Sequence, residues 1–143
     1  MQTDTPNIRA VRPGEDYVLV VTWKGGAESL VDVGEHIASY AVFAALRGDP
    51  TAFRKVSIGE WGWSVHWTDQ MEMSSDTVWR LALDQGGRWL RAWREARGLS
   101  QADAASALGV SPRMWRYYEA AEHLLPKTVR LACVGFDAQQ RAA

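Results

Sequence analysis

Apolar positions recur every second residue in parts of the first half of the chain and at helical spacing in the second. Residues 17–23, YVLVVTW, are a run of β-branched and aromatic side chains. Lys24, Gly25 and Gly26 follow, and then AESLVDV (27–33), where Ala27, Ser29, Val31 and Val33 alternate with more polar positions. Two glycines able to take positive φ between two such runs predict a β-hairpin. IRAVRP (8–13) reads as a partner strand before it. IASYAVFAALRGDPTAFRKV (37–56) is interrupted by Gly48, Asp49 and Pro50, which predicts one or two short helical pieces. KVSI (55–58), WSVHW (63–67) and MEM (71–73) read as short strands. In the middle one, Trp63, Val65 and Trp67 are expected to share a face, with Ser64 and His66 on the other.

The period then lengthens. SSDTVWRLALDQGG (74–87) opens on serines with Asp76 in the first turn, a favourable helix start, and carries Val78, Leu81, Ala82 and Gln85 on one stripe. Gly86 and Gly87 are expected to end this helix as a short hinge, dividing the chain into domains at 1–86 and 87–143. Beyond them, Trp89, Ala92, Trp93 and Ala96 fall at i, i+3, i+4 and i+7, predicting one buried stripe with Arg91, Arg94 and Glu95 off it. Gly98 closes that helix. Ser100 is a good cap for QADAASAL (101–108), which ends at Gly109. Ser111 caps the next helix with Pro112 at its first position, where a missing N–H is harmless. Pro126 stops that run, and KTVRLACVGF (127–136) predicts a last helix. The expected fold is an α+β domain of short antiparallel strands and short helices, followed by an all-α domain of four or five helices.

Charge sharpens this division. Residues 1–87 hold 7 Lys+Arg against 12 Asp+Glu, a balance of −5, whereas residues 88–143 hold 9 against 5, a balance of +4. The basic half is the better candidate for a polyanion. Five of the eight tryptophans fall in the first half, where core or edge packing is the expected role. Cys133 is the single cysteine, so no internal disulfide can form. With no leader-like or membrane-spanning run, a cytoplasmic protein is the expectation.

The stretch LRAWREARGLSQADAASALGVSPRMWRYYE, from Leu90 to Glu119 and extending towards Ala132, resembles the lambda-repressor/Cro-like (XRE-like) helix-turn-helix family. The carrying features are Arg94 in the first helix, GLSQ opening the second, LGVS as the turn and Glu119 late in the third. Alanines 102, 104, 105 and 107 keep the second helix thin, and Val110, Trp115 and Tyr118 supply the apolar anchor. The resemblance implies that the outer face of the third helix meets base edges in the major groove. It gives Arg113 and Tyr117 base-reading positions, Arg113 with guanine N7 and O6 as its partner. It gives Arg116 and Gln101 phosphate-contacting positions, and Lys127 and Arg130 extend that footprint. With Ser111, the candidate DNA-binding set is Gln101, Ser111, Arg113, Arg116, Tyr117, Lys127 and Arg130. Two departures stand out. Pro112 falls where many relatives place a polar base-contacting side chain. The usual Glu-Asn-Gly helix ending is replaced by EAA (119–121), from which the helix is expected to run on to about His123.

The first half, carried by VLVVTWKGGAESLVDV, VFAALRGDPTAFRKV and WSVHWTDQMEMSSDTVWRLAL, resembles a bacterial family known only as domain of unknown function 2442. Its members look like compact α+β domains, some joined to an XRE-like domain, and often lie near toxin–antitoxin-like modules. That implies a regulatory role and names no ligand. No catalytic constellation stands out. His36, His66 and His123 lack metal spacing, Glu35–His36 is isolated, Cys133 reads as a small buried hydrophobe, and no phosphate-loop glycine motif is present. The expectation is a transcriptional regulator without enzyme activity or cofactor. Its partners would be double-stranded DNA, a second copy of itself, and a protein met through the first domain. The alternative is an antitoxin-like adaptor whose helix-turn-helix binds protein and not DNA.

Overall fold

Three strands open the fold: an apolar, largely β-branched run, VLVVTW, lies between two mixed segments, IRAVRP and ESLVD, and the turns that separate them are ones glycine or aspartate can make. β1 (Ile8–Pro13), β2 (Val18–Trp23) and β3 (Glu28–Asp32) form an antiparallel sheet in sequence order, Leu19 opposite Val31 and Val20 opposite Arg12 and Leu30. β2 is the middle strand and is buried on both faces at Leu19, Val20 and Val21, so its apolar run is continuous rather than alternating. The β2–β3 turn places Gly25 and Gly26 both at φ 101, as the hairpin reading requires. The computed structural model describes residues 6–142 of the chain.

The expected short helical pieces are α1 (Gly34–Ser39), a 3₁₀ segment (Ala41–Leu46) and α2 (Pro50–Phe53), the last capped by the Asp49 carboxylate, which accepts from the Ala52 N–H. The Tyr17 hydroxyl stitches this region to the sheet, donating to the Leu46 carbonyl at 3.0 Å and accepting from the Gly48 N–H at 2.7 Å. A second antiparallel sheet follows, β4 (Ser57–Ile58), β5 (Ser64–His66) and β6 (Glu72–Ser74). Val65 and Trp67 point inward as expected, and the Trp67 indole donates to the Phe53 carbonyl at 2.9 Å. Trp63 does not join them: it is 47% exposed, because it lies before β5, in the turn, and not on the strand's pleat. Trp61 is 79% exposed and sits at φ 60, its carbonyl held by the Asn7 side-chain amide at 2.7 Å.

α3 spans Ser75–Ala96, and the Ser74 hydroxyl accepts from the Thr77 N–H at its start. The expected break at Gly86 and Gly87 is absent; the helix passes through both. Their smallness serves close approach instead of flexibility. A Cβ on Gly86 would lie 3.0 Å from the Leu125 Cβ, and one on Gly87 would lie 2.8 Å from the Tyr118 carbonyl oxygen. The buried stripe beyond them is also rotated from the expected one. Leu90 and Trp93 are buried, Ala92 and Ala96 are exposed, and Arg94 turns inward. The choice of stripe is set by the two glycines, which place the close contact on the 86–90–93 side.

Two units divide between residues 82 and 83. In the second, α4 (Gln101–Leu108), α5 (Pro112–Glu119) and α6 (Lys127–Ala142) follow α3. Their core is Leu90, Trp93, Ala104, Ala105, Trp115, Tyr118, Leu125, Val129 and Cys133. Of the four alanines, 104 and 105 are fully buried, while 102 and 107 face outward. α6 runs several residues beyond the expected end at 136. It is fastened to α3 by Asp137, which accepts from Arg97 Nε at 2.7 Å and from the Trp93 indole at 3.2 Å.

Candidate nucleic-acid interface

The corner between α4 and α5 is built by local chemistry. The Ser100 hydroxyl accepts from the Asp103 N–H at 3.0 Å and starts α4. Gly109, at φ 72, ends it in the left-handed conformation that side chains resist. Two residues later the Ser111 hydroxyl accepts from the Met114 N–H at 3.1 Å, and Pro112 occupies the first helical position of α5. The predicted caps of both helices are therefore in place. The two fully buried alanines of α4 let the helices approach closely.

α5 then sorts its side chains by face. Trp115 and Tyr118 are buried, and Glu119 is buried with them, its side chain 1% exposed. A lone carboxylate in such a place is costly unless fully bonded. Here each oxygen accepts two hydrogen bonds. Oε2 takes Arg94 Nε at 2.7 Å and the Trp115 indole at 2.6 Å; Oε1 takes Arg94 Nη2 and Gln101 Nε2, each at 3.0 Å. Arg94 meets the carboxylate as a fork, and its Nη1 donates to the Leu99 carbonyl at 3.0 Å. Burial pushes the Glu119 carboxyl up, but the bonds from Arg94, Gln101 and Trp115 outweigh it and hold the group below its ordinary value. Donors from α3 and α4 thus fix the roll of α5 about its own axis.

That roll decides what faces outward. Arg113 and Arg116 are exposed, and Tyr117 is half-buried beside Arg113. Arg113 Nε donates to the Tyr117 hydroxyl at 2.9 Å. Ser111 lies exposed at the helix start and Lys127 exposed at the start of α6. The remaining two candidates are drawn inward. The Gln101 side-chain N–H is committed to Glu119, and Arg130 is half-buried with its guanidinium 4.3 Å from the Trp89 ring centroid. Burial pulls the Arg130 guanidinium below its ordinary value. α5 does not run on to His123. It ends at Glu119, and Ala121 takes φ 60, the position that glycine fills in the usual ending. The turn bonds of Ala121 and Glu122, whose N–H groups donate to the carbonyls of Tyr118 and Tyr117, hold it there.

Two features escaped the sequence reading. Arg94 was expected off the buried stripe, yet it partners Glu119; an ionised residue four positions after Trp115, on the same face, was the available signal. His123 was read only as lacking metal spacing with the other histidines; its ring centroid lies 5.1 Å from that of Tyr117, a proximity set by the turn at Ala121. In the first unit, His36 packs against the rings of Tyr40 and Phe43, and burial, with the nearby Arg80 charge, lowers its pKa. Among the described residues, no group of three or more His, Cys, Asp or Glu side chains is placed to hold a metal ion, and no helix is long and apolar enough to cross a membrane.

Comparison with known proteins agrees with this geometry. Residues 87–143 match a family described as helix-turn-helix domain. No curated protein matches the chain. Among solved structures, the crystal structure of a "Putative DNA Binding Protein" from Nitrosomonas europaea is 35% identical. The match covers 98% of this chain and 92% of that one, with a TM-score of 0.54. Residues 8–84 match the family described as protein of unknown function (DUF2442), and the chain belongs to that family, with a helix-turn-helix domain following in the same polypeptide.

Proposed function

We propose that this chain is a DNA-binding transcriptional regulator that lays α5 in the major groove. The observation that carries the reading is the outward face of α5, where Arg113, Arg116 and Tyr117 stand on a helix that the bonds to the buried Glu119 carboxylate anchor to α3 and α4. Arg113 is the base-reading residue, with guanine as its partner. Arg116, Ser111 and Lys127 contact phosphate and set register. Gln101 and Arg130 complete the footprint through whatever polar atoms their inward contacts leave to the duplex. The +4 balance of residues 88–143 and the name carried by the Nitrosomonas europaea relative support the same reading. One recognition helix covers only a short half-site, so the regulator works as a homodimer. It acts in the cytoplasm, and its acidic first domain, repelled by DNA, serves dimerisation, partner binding or effector sensing. An autoregulatory, antitoxin-like role belongs to this proposal.

The test is duplex binding at two salt concentrations, with sequences enriched from genomic fragments. Affinity is expected to fall steeply with salt. Arg113→Ala is expected to relax base preference and to weaken the enriched sequence by about 1–3 kcal/mol. Lys127→Ala is expected to weaken all sequences alike. Absence of binding at low salt by the intact dimer defeats the reading. The second reading, a protein-binding adaptor, is favoured by one observation: the inward turn of Gln101 and Arg130 narrows the cationic footprint.

A further inference from the structure

The outer face of α5 is a linked series of side chains, and the link assigns Tyr117 a role different from base reading. This inference deepens the regulator reading and rests on it. The series begins at the turn after α5. Ala121 is at φ 60, and the Glu122 N–H donates to the Tyr117 carbonyl at 3.0 Å, so the chain doubles back and brings His123 beside the outer face. The His123 ring then lies 5.1 Å from the Tyr117 ring, at 54° between planes. Tyr117 also accepts from Arg113 Nε at 2.9 Å, and the guanidinium carbon stands 5.4 Å from the tyrosine ring centroid. The turn places the histidine, the histidine backs the tyrosine, and the tyrosine holds the arginine.

A guanidinium has five N–H groups in a rigid plane. Engaging Nε–H sideways leaves the hydrogens of Nη1 and Nη2, which can point forward as an end-on fork. Guanine offers two acceptors, N7 and O6, on its major-groove edge. Adenine pairs one acceptor with a donor, thymine has one acceptor beside a methyl group, and cytosine presents a donor. An end-on fork therefore separates guanine from the other three bases, whereas an unrestrained arginine can turn to make single bonds with several of them. Restraint before binding also removes part of the rotamer freedom that a long side chain otherwise loses on docking. We propose that Tyr117 is a positioning residue, holding Arg113 for end-on approach to one guanine, with His123 as its support.

The experiment passes the full-length chain, Tyr117→Phe and Arg113→Ala through the same selection from a pool of short duplexes with a randomised centre, at one salt concentration. Tyr117→Phe keeps the ring and its contact with His123 and removes only the hydroxyl. Wild type is expected to enrich guanine at one fixed position and Arg113→Ala to lose that enrichment. Tyr117→Phe is expected to keep guanine at the same position with about three- to tenfold weaker discrimination, and with unchanged affinity for a random-sequence duplex. In the free protein, the Arg113 Nε–H signal is expected to exchange slowly with solvent in wild type and rapidly in Tyr117→Phe. The positioning role is overturned if Tyr117→Phe discriminates as well as wild type. It is also overturned if that variant weakens random and selected duplexes equally, which marks a phosphate contact. If wild type enriches nothing, the regulator reading itself fails; if Arg113→Ala enriches the same sequences as wild type, the base-reading role of Arg113 fails while DNA binding stands; the positioning role falls in either case.

Discussion

The deepest residues of the first unit include Leu19, Val21, Val31, Val65 and Val78, all hydrocarbon; the second unit buries, beside apolar residues such as Leu90 and Ala104, a carboxylate, Glu119, that accepts four hydrogen bonds. Hydrocarbon packing is non-directional, and a strand or helix can shift slightly within it at modest cost. A fork between Arg94 and Glu119 tolerates far less, since a small rotation of either helix leaves a buried charge under-bonded. Glu119 also sits at the end of α5 with its side chain buried, while Arg113 and Arg116 on the same helix are exposed. The unit expected to meet an ordered lattice of phosphates and base edges thus has its outward helix keyed by directional bonds.

Arg94→Ala is expected to perturb the second unit most. It strands the Glu119 carboxylate, and a loss of about 3–5 kcal/mol is expected from the second unit. Hydrogen exchange at α5 amides reads that loss separately from exchange at β2. Joint replacement of Arg94 and Glu119 by apolar residues is expected to recover much of it, as an apolar core would. The same group carries a pH signature. Its folded pKa is depressed, so its stabilisation is complete above the unfolded carboxylate value, about 4.3, and is lost as pH falls through the lower folded one. Asp137 acts with the same sign: burial works against it, but the bonds from Arg97 and Trp93 hold its pKa low. Acid melting of the second unit is expected to flatten in Glu119→Gln, compared at pH 7 and pH 3.

Next in size is Gly87→Ala. The added methyl meets the carbonyl oxygens of Tyr118 and Glu119 at 2.8 and 3.0 Å, so a loss of about 1–3 kcal/mol is expected in thermal unfolding, despite alanine's better helix propensity. An unchanged or raised melting temperature contradicts the close-approach account of this glycine. A modest gain is expected at the turn after α5. Ala121→Gly relieves a left-handed alanine and is expected to stabilise the second unit by about 1 kcal/mol, read by denaturant midpoint. The gain comes without loss of the Arg94–Glu119 fork, since the turn already has the glycine geometry.

Legibility followed the physics of each interaction. The hairpin around Gly25–Gly26, the central apolar strand and the caps at Ser100 and Ser111 were readable, because each depends on residues adjacent in sequence. Gly86–Gly87 misled, because a glycine pair has the same local signature whether it ends a helix or admits a neighbour; only the Tyr118 and Glu119 carbonyls 31 or more positions away distinguish the two. The stripe on α3 was displaced for the same reason: alanine suits either a buried or an exposed helical position. The missing glycine at 121 predicted a longer helix, whereas the turn bonds at Ala121 and Glu122 hold the left-handed conformation without it. Of the candidate site, Arg113, Arg116 and Tyr117 could be placed outward from Trp115 and Tyr118 alone. The inward commitments of Gln101 and Arg130 depend on partners, Glu119 and Trp89, that no local pattern connects to them.

Cys133 sits fully buried in the core of the second unit, where burial and the nearby Asp137 push its thiol up to about 11. A thiol so shielded and so rarely ionised at neutral pH is inert towards alkylating reagents while that core stays closed. Being the sole sulfhydryl in the chain, it makes labelling by iodoacetamide a native clock: each mass increment records one opening of the helical core, and a bound duplex that tightens the core should slow the count.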